Sequence, residues 1–265
     1  MNTTLSAEQI EIYRRDGYIV QPDFLTPDEL DQLRRAVDES LDAMGKFKVN
    51  DPELNWESGD SYYDKVFTQR INLWRINETV RSFMLSPELG RMLCDLTGVD
   101  GMRVWHDQAL IKEPFANPTG WHLDDPYWSF YSRDAVSIWI ALDDATLSNG
   151  CLYFIPGSHH LARFDNIGIG SDLGGLFDLY PEMLETPTVP VQIKAGSCSF
   201  HNGLCAHGAG ANMTAGRRRA MTCAYMPDGS TFNGNPNILP DSYLRTLKVG
   251  DLLNDDARNP LIYRK

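Results

Sequence analysis

The segment Trp121-His122-Leu123-Asp124 carries a histidine and an aspartate two residues apart. On a β-strand, residues two apart share a face, so one ion could take an imidazole nitrogen and a carboxylate oxygen from this pair. Two neutral imidazoles and one carboxylate on one side of Fe(II) leave three positions open to other ligands. The third protein donor would come from a distant strand of a barrel. Alone the pair is a weak signal, because a strand-end histidine followed by a turn aspartate has the same spacing. A second segment adds weight: Phe200 to Asn212 places His201 and His207 in a Gly- and Asn-containing stretch, and Arg217-Arg218-Arg219 follows. Arginine on a returning strand suits a carboxylate ligand, because its planar fork makes two parallel hydrogen bonds to one.

The elements that would carry these residues fall into two zones. The first hundred residues read as helices. Ser6 and Gln9 form a capping box flanked by the staple pair Leu5 and Ile10. Asp16-Gly17 ends that helix, and Tyr18-Ile19-Val20 looks extended. Thr26, Pro27 and Glu29 open a second helix, along which Leu30, Leu33, Val37, Leu41 and Met44 recur at helical spacing. A third runs from Ser86-Pro87 to about Leu96, with Gly98 as a left-handed cap.

From Met102 onward, short β-branched and aromatic runs bounded by Gly, Pro, Asn and Asp predict strands. They are Arg103 to Lys112, Ala135 to Leu142, Cys151 to Ile155, Val189 to Lys194, Ser197 to His201 and Arg219 to Met226. The expected fold is mainly β with flanking helices, a jelly-roll core. Leu161 to Thr186 is Gly-rich and weakly patterned, and is expected to be a mobile lid between strands. One domain over 1–265 is expected: helical scaffold about 1–100, core about 101–230 and tail 231–265.

Composition narrows the partners. The 265 residues have ordinary hydrophobic and charged content and a formal net charge of -12. That balance disfavours nucleic acid, which needs a basic face, and disfavours an acidic carrier protein. No stretch approaches the roughly 20 apolar residues of a membrane helix. The five cysteines form no C-x-x-C pair and suggest a reducing setting, read here as cytoplasmic. A small diffusible substrate is the expected partner.

Four stretches resemble a known family: "SAEQIEIYRRDGYIVQPDFLTPDEL", "WHLDDPYW", "SIWIALDDATLSNGCLYFIPGSH" and "HNGLCAHGAGANMTAGRRRAMTCAYMPDG". In this order they are similar to the phytanoyl-CoA dioxygenase-like branch of the Fe(II)- and 2-oxoglutarate-dependent oxygenases. The resemblance implies a double-stranded β-helix (jelly roll, cupin-like), with His122, Asp124 and His207 as iron ligands and Arg218 on the distal carboxylate of 2-oxoglutarate. It also implies that Trp139, Gln108 and Leu110 line the co-substrate site. Leu123 and Ala209 depart from the glutamine and serine frequent in relatives, which touches polarity around the site but removes no ligand.

The implied reaction uses Fe(II), 2-oxoglutarate and O2, releases succinate and CO2, and hydroxylates a C–H bond. Related halogenases replace the carboxylate ligand with a small residue, so its presence as Asp124 favours hydroxylation. Tyr127, Trp128 and His201 are candidate substrate contacts, and His106 could also point inward. Two rival readings are a catalytically silent jelly-roll metabolite-binding protein and a zinc hydrolase using the same ligands. Strand alternation bears on the arginine triplet. Arg218, Ala220, Thr222 and Ala224 share one face, small apart from the arginine, while Arg219, Met221, Cys223 and Tyr225 share the other. The small face is expected to look into the barrel.

Overall fold

Both capping boxes close. Ser6 and Thr26 each accept the backbone N–H three residues on, and Gln9 and Glu29 accept the cap N–H groups in return. They open helices α1 (Ala7–Asp16) and α2 (Pro27–Met44) in a computed structural model that describes every residue except Asn55, Asp60 and Asn166. Ser6 and Thr26 thereby satisfy donors that each helix start leaves orphaned. Asn77 caps α3 (Glu78–Met84), a helix not foreseen in the sequence. Ser86 caps α4 (Pro87–Thr97), which ends on Gly98 at φ 87°, as expected.

The strands are β1 (Tyr18–Gln21), β2 (Thr68–Ile71), β3 (Gly101–Lys112), β4 (Thr119–His122) and β5 (Val136–Ala141). They continue with β6 (Leu152–Phe154), β7 (Val189–Val191), β8 (Cys198–Asn202), β9 (His207–Ala209), β10 (Arg218–Pro227) and β11 (Leu261–Arg264). A major antiparallel sheet runs β1-β8-β5-β10-β3-β11, and β2 pairs with the later part of β3. A minor sheet runs β4-β9-β6-β7. This is the helix-flanked double-stranded β-helix.

The major sheet packs on both faces. Leu33 and Val37 of α2 and Leu89 and Leu93 of α4 share one buried cluster with Ile138, Met221, Cys223 and Tyr225 on its outer face. Trp139 and Ala220, on its inner face, pack with Leu152, Phe154 and Val191 of the minor sheet. Continuously buried strands such as β5 and β10 follow from this double cover. No described helix is long and apolar enough to cross a membrane.

The expected lid divides in two. In its later half, Leu176, Tyr180 and Met183 are fully buried against Leu123, Ile155 and Leu204, so this part is core and not a loose cover. The reason is a short helical turn, Leu176–Leu179, followed by a 3-10 turn, Pro181–Glu185, which put those side chains on one face. In the earlier half, Ile169 lines the central cavity. Beyond β10, Phe232, Leu239 and Leu253 are buried with Trp105 and Trp128, and β11 closes one edge of the major sheet.

Candidate active site

Strand register decides which side chains meet inside. His201, Ser137, Ala224 and His106 are successive cross-strand partners along β8, β5, β10 and β3. The neighbouring row is Ser199, Trp139, Thr222 and Gln108, and the one after it includes Ala141, Ala220 and Leu110. Between Ala224 and Tyr225 the pairing with β3 shifts, leaving Trp105 as an extra residue. This bulge is a local device for re-aiming side chains. It puts Trp105 edge-on to Phe130, with ring centroids 5.3 Å apart, next to the inward His106.

The minor sheet supplies the opposite wall. His122 ends β4 and His207 begins β9, and the two are paired across the sheet. Ligand atoms of His122, Asp124 and His207 all lie within 4.8 Å of one another. The expected strand geometry of the H-x-D pair needs correction at Asp124. The strand stops at His122, and Asp124 has φ -78° and ψ -49° at the start of a 3-10 turn. Its position is set by Gly203, whose carbonyl accepts the N–H of both Asp124 and Asp125 at 2.9 Å. A Cβ on Gly203 would come within 2.8 Å of the Trp128 ring, so a glycine is needed for this approach.

Hydrogen bonds prepare each donor. The Nδ1–H of His122 points to Gly120 O at 2.9 Å and that of His207 to Cys205 O at 3.0 Å, leaving both Nε2 lone pairs free. Those Nε2 atoms lie 3.6 Å and 3.7 Å from Asp124 Oδ1. Asp124 Oδ2 is occupied differently: Ser137 Oγ donates at 3.1 Å and His201 Nε2 at 3.2 Å. His201 therefore carries its proton on Nε2, the tautomer opposite to that of the other two. Burial would raise the Asp124 carboxyl, but the surrounding imidazoles His207, His122 and His201 outweigh it and hold the group well below the usual carboxylate range. Burial, then His122, pulls the His207 imidazole down to about 3, so it is neutral and able to bind metal at neutral pH. An ionised carboxylate and imidazole lone pairs converging on one point fit a divalent iron.

At the other end of the same cavity stands Arg218. It is fully buried, and none of its three guanidinium nitrogens has a hydrogen-bond partner among the described residues. Its guanidinium lies 5.0 Å from the Trp139 ring centroid and 5.9 Å from that of Phe67. Burial lowers its pKa to about 10, which leaves it charged at neutral pH. A buried cation with no counter-ion is costly, so this cradle suits a bound carboxylate. Arg219 faces the other way, donating to Asp143 and Asp38, and Arg217 is half exposed near Asp38 and Glu113.

Gln108, Leu110, Trp139, Tyr127, Trp128 and His201 all line this cavity of about 360 Å³ together with the metal donors and Arg218. His106 also lines it, whereas His159, in contact with the carbonyl of Arg14, and the adjacent His160 ring lie away from the cavity. Sequence reading missed Ser137, although it lies two residues before Trp139 on the same face. It also missed Gln69 and Asn237, which come from a short strand and a loop with no periodic signal.

Comparison with known proteins agrees with this geometry. The family model for phytanoyl-CoA dioxygenase (PhyH) matches residues 13–220. The chain superposes on the non-heme alpha ketoglutarate dependent carbocyclase SnoK with TM-score 0.79 and 29% identity, over 97% of this chain and 96% of that one. For the epimerase SnoN, solved with Fe3+, alpha ketoglutarate and nogalamycin RO, the values are 0.74 and 27%, over 96% and 97%. Dioxygenase lolE1 of Epichloe uncinata is 28% identical over 85% of this chain and 84% of its own length. The rat phytanoyl-CoA dioxygenase is 26% identical over 84% and 69%.

The rat protein and its mouse counterpart are peroxisomal by name, which contradicts the cytoplasmic setting read from the sequence. Free cysteines separate reducing from oxidising surroundings without telling cytosol from organelle. With its site geometry, its fold and the match over most of its length, the chain belongs to the phytanoyl-CoA dioxygenase family and is an Fe(II)- and 2-oxoglutarate-dependent oxygenase.

Proposed function

We propose that His122, Asp124 and His207 hold the iron, that Arg218 receives the distal carboxylate of 2-oxoglutarate, and that a small molecule is hydroxylated beside them. The observation that carries this assignment is the pairing, in one cavity, of three converged donor atoms with a buried arginine that has no hydrogen-bond partner among the described residues. Trp139 braces the arginine through its ring face, and Gln108 and Leu110 flank the co-substrate from β3. Ser137 and His201 hold the second oxygen of Asp124, so that only Oδ1 turns toward the metal. Tyr127 and Trp128, just past Asp124, wall the substrate side.

When bound, iron supplies O2 activation coupled to oxidative decarboxylation of 2-oxoglutarate. In the balanced reaction one oxygen atom enters the succinate carboxylate, the other enters the substrate C–H bond as hydroxyl, and CO2 leaves. The chain's own residues bind, orient and exclude water. The carboxylate at Asp124 supports hydroxylation over halide transfer. A net charge of -12 supports a free small molecule over a carrier-bound one. Names of similar proteins point the same way: SnoK and SnoN belong to nogalamycin biosynthesis. Residues 1–265 are read as a single oxygenase domain, comprising the helical scaffold, the β core and the segment 231–265.

The test is succinate formation from 2-oxoglutarate by protein loaded anaerobically with Fe(II) or Zn(II) and then exposed to O2. Iron is expected to support turnover and zinc to give none. Turnover with zinc, or hydrolytic activity without O2, would contradict the reading.

A further inference from the structure

The cavity has a second half that neither iron nor 2-oxoglutarate accounts for. Given iron at His122, Asp124 and His207 and 2-oxoglutarate on Arg218, the reading on which this inference rests, we propose that the molecule oxidised is an uncharged, oxygen-bearing ring compound, oriented by His106 and Asn237 between aromatic walls.

The first support is charge. Among the described residues that line the cavity, only Asp124 and Arg218 are charged, and both belong to the metal and co-substrate end. The remaining described lining offers no cation for a phosphate, sulfate or carboxylate and no free anion for an amine. An ion placed there would lose its hydration and find no partner.

The second support is unused hydrogen-bonding capacity. His106 is 7% exposed and its Nδ1 has no hydrogen-bond partner among the described residues. It occupies the same inner row as Ser137 and His201, across from the small Ala224, so space opens beside it next to the metal donors. Burial also pulls its pKa to about 4, so it enters any contact as a neutral imidazole with one donor and one acceptor. Asn237 Oδ1, on another part of the wall, is buried with no hydrogen-bond partner among the described residues. Gln69 and Gln108 join through a 2.6 Å amide contact, a neutral polar pair on the floor between the two halves. A plain alkyl chain would bury these polar groups unpaired, which is unfavourable. Hydroxyl or carbonyl groups on the substrate would satisfy them.

The third support is shape. Trp56, Tyr127 and Trp128 line this half together with Ile71, Ile169 and Ile238. Trp128 lies against Phe130 with centroids 5.4 Å apart and an interplanar angle of 28°, a packed ring not free to swing away. Tyr127 is tied through its hydroxyl to Ile167 O. The fixed faces of Tyr127 and Trp128, beside branched aliphatic side chains, suit a flat or gently puckered ring system.

The experiment uses Fe(II)- and 2-oxoglutarate-loaded protein under anaerobic conditions and follows tryptophan fluorescence during ligand titration. The probes are a panel of neutral hydroxylated ring compounds of one to four rings, the sulfonated form of each, and a straight-chain acyl-coenzyme A. We expect at least one neutral ring compound to bind and to accelerate succinate formation after O2 is admitted, and its sulfonate to bind at least tenfold more weakly. His106→Phe should weaken the neutral ligand at least tenfold and abolish its preference for one hydroxyl pattern, while His106→Gln restores most of the binding. The inference is overturned if acyl-coenzyme A or the sulfonates bind as tightly as the neutral compounds, if no neutral ring compound binds, or if His106→Phe leaves the affinities unchanged. Uncoupled succinate formation by wild-type protein, recorded in parallel, separates this failure from failure of the iron and 2-oxoglutarate assignment.

Discussion

Strand β10 offers a comparison within one element. On its outer face, Arg219 donates to Asp143 at 2.9 Å and to Asp38 at 2.8 Å, while Met221, Cys223 and Tyr225 are buried against the helices, the Tyr225 hydroxyl donating to Met84 O. On its inner face, Arg218 is fully buried with three nitrogens that have no hydrogen-bond partner among the described residues, and Ala220, Thr222 and Ala224 are small. The outer face closes its own contacts, which stabilises the fold. The inner face leaves room and unmet hydrogen bonds, which a ligand completes. The metal point shows the same economy opposite: His122 Nδ1 and His207 Nδ1 each meet a backbone carbonyl, and Asp124 Oδ2 is held by Ser137 and His201.

Substitutions can break this contrast in graded ways. The largest loss is expected at the metal point itself. Asp124→Ala or His207→Ala should cut succinate formation more than about 100-fold, beyond the usual effect of outer-shell partners, with the far-ultraviolet circular dichroism retained. Full turnover in the His207 variant would move the third donor to His201. One step out, His201→Phe should weaken Fe(II) binding by about 10- to 100-fold, read by metal titration, and His201→Gln should recover part of it. Equal iron affinity in the Phe variant would mean that the contact to Asp124 has no positioning role.

Outer-face changes should leave ligands alone. Met221→Ala is expected to lower unfolding free energy by about 2–5 kcal/mol, the range for emptying a buried site. The 2-oxoglutarate concentration at half-maximal rate should stay within about twofold, since no contact to the cavity is removed. A raised co-substrate requirement without loss of stability would reverse the assignment of faces.

A pH-dependent effect is expected at Lys112, the cross-strand neighbour of Arg218. Burial, then Arg218, pulls its ammonium down to about 7, and its Nζ–H donates to Asn117 O at 2.6 Å. Between about pH 7 and the ordinary lysine value near 10.5, the unfolded chain binds a proton that the folded one does not, so this group makes stability rise with pH. Its cost is complete below about 7 and gone above about 10.5. Urea midpoints of Lys112→Met should therefore improve on wild type most near pH 6, with the advantage shrinking toward pH 10. A difference independent of pH would show that the lysine titrates normally in the folded chain.

Much of this was legible in the sequence because it depends on local chemistry. Ser6, Thr26 and Gly98 announce helix ends through backbone hydrogen bonds, and alternation along Arg218 to Tyr225 sorts inner from outer side chains. The H-x-D pair was found for a reason only half correct. His122 obeys strand geometry, but Asp124 is placed by the carbonyl of Gly203, nearly eighty residues away, which no local pattern announces. The bulge at Trp105 and the contribution of Gln69 and Asn237 likewise arise from register and loop packing. In the expected lid, Leu176, Tyr180 and Met183 had helical spacing, but the glycines before them masked it.

The most direct test of the contrast between the two faces is an anaerobic titration of 2-oxoglutarate into Fe(II)-loaded wild type, Arg218→Lys and Arg219→Lys, followed by the visible iron-to-co-substrate charge-transfer band. Lysine keeps the charge but loses the fork. Arg218→Lys is predicted to raise the half-saturating concentration about 10- to 100-fold, the value of a charge-assisted hydrogen bond, and Arg219→Lys to change it less than about twofold. Equal shifts at both positions, or a larger one at Arg219, would contradict the account.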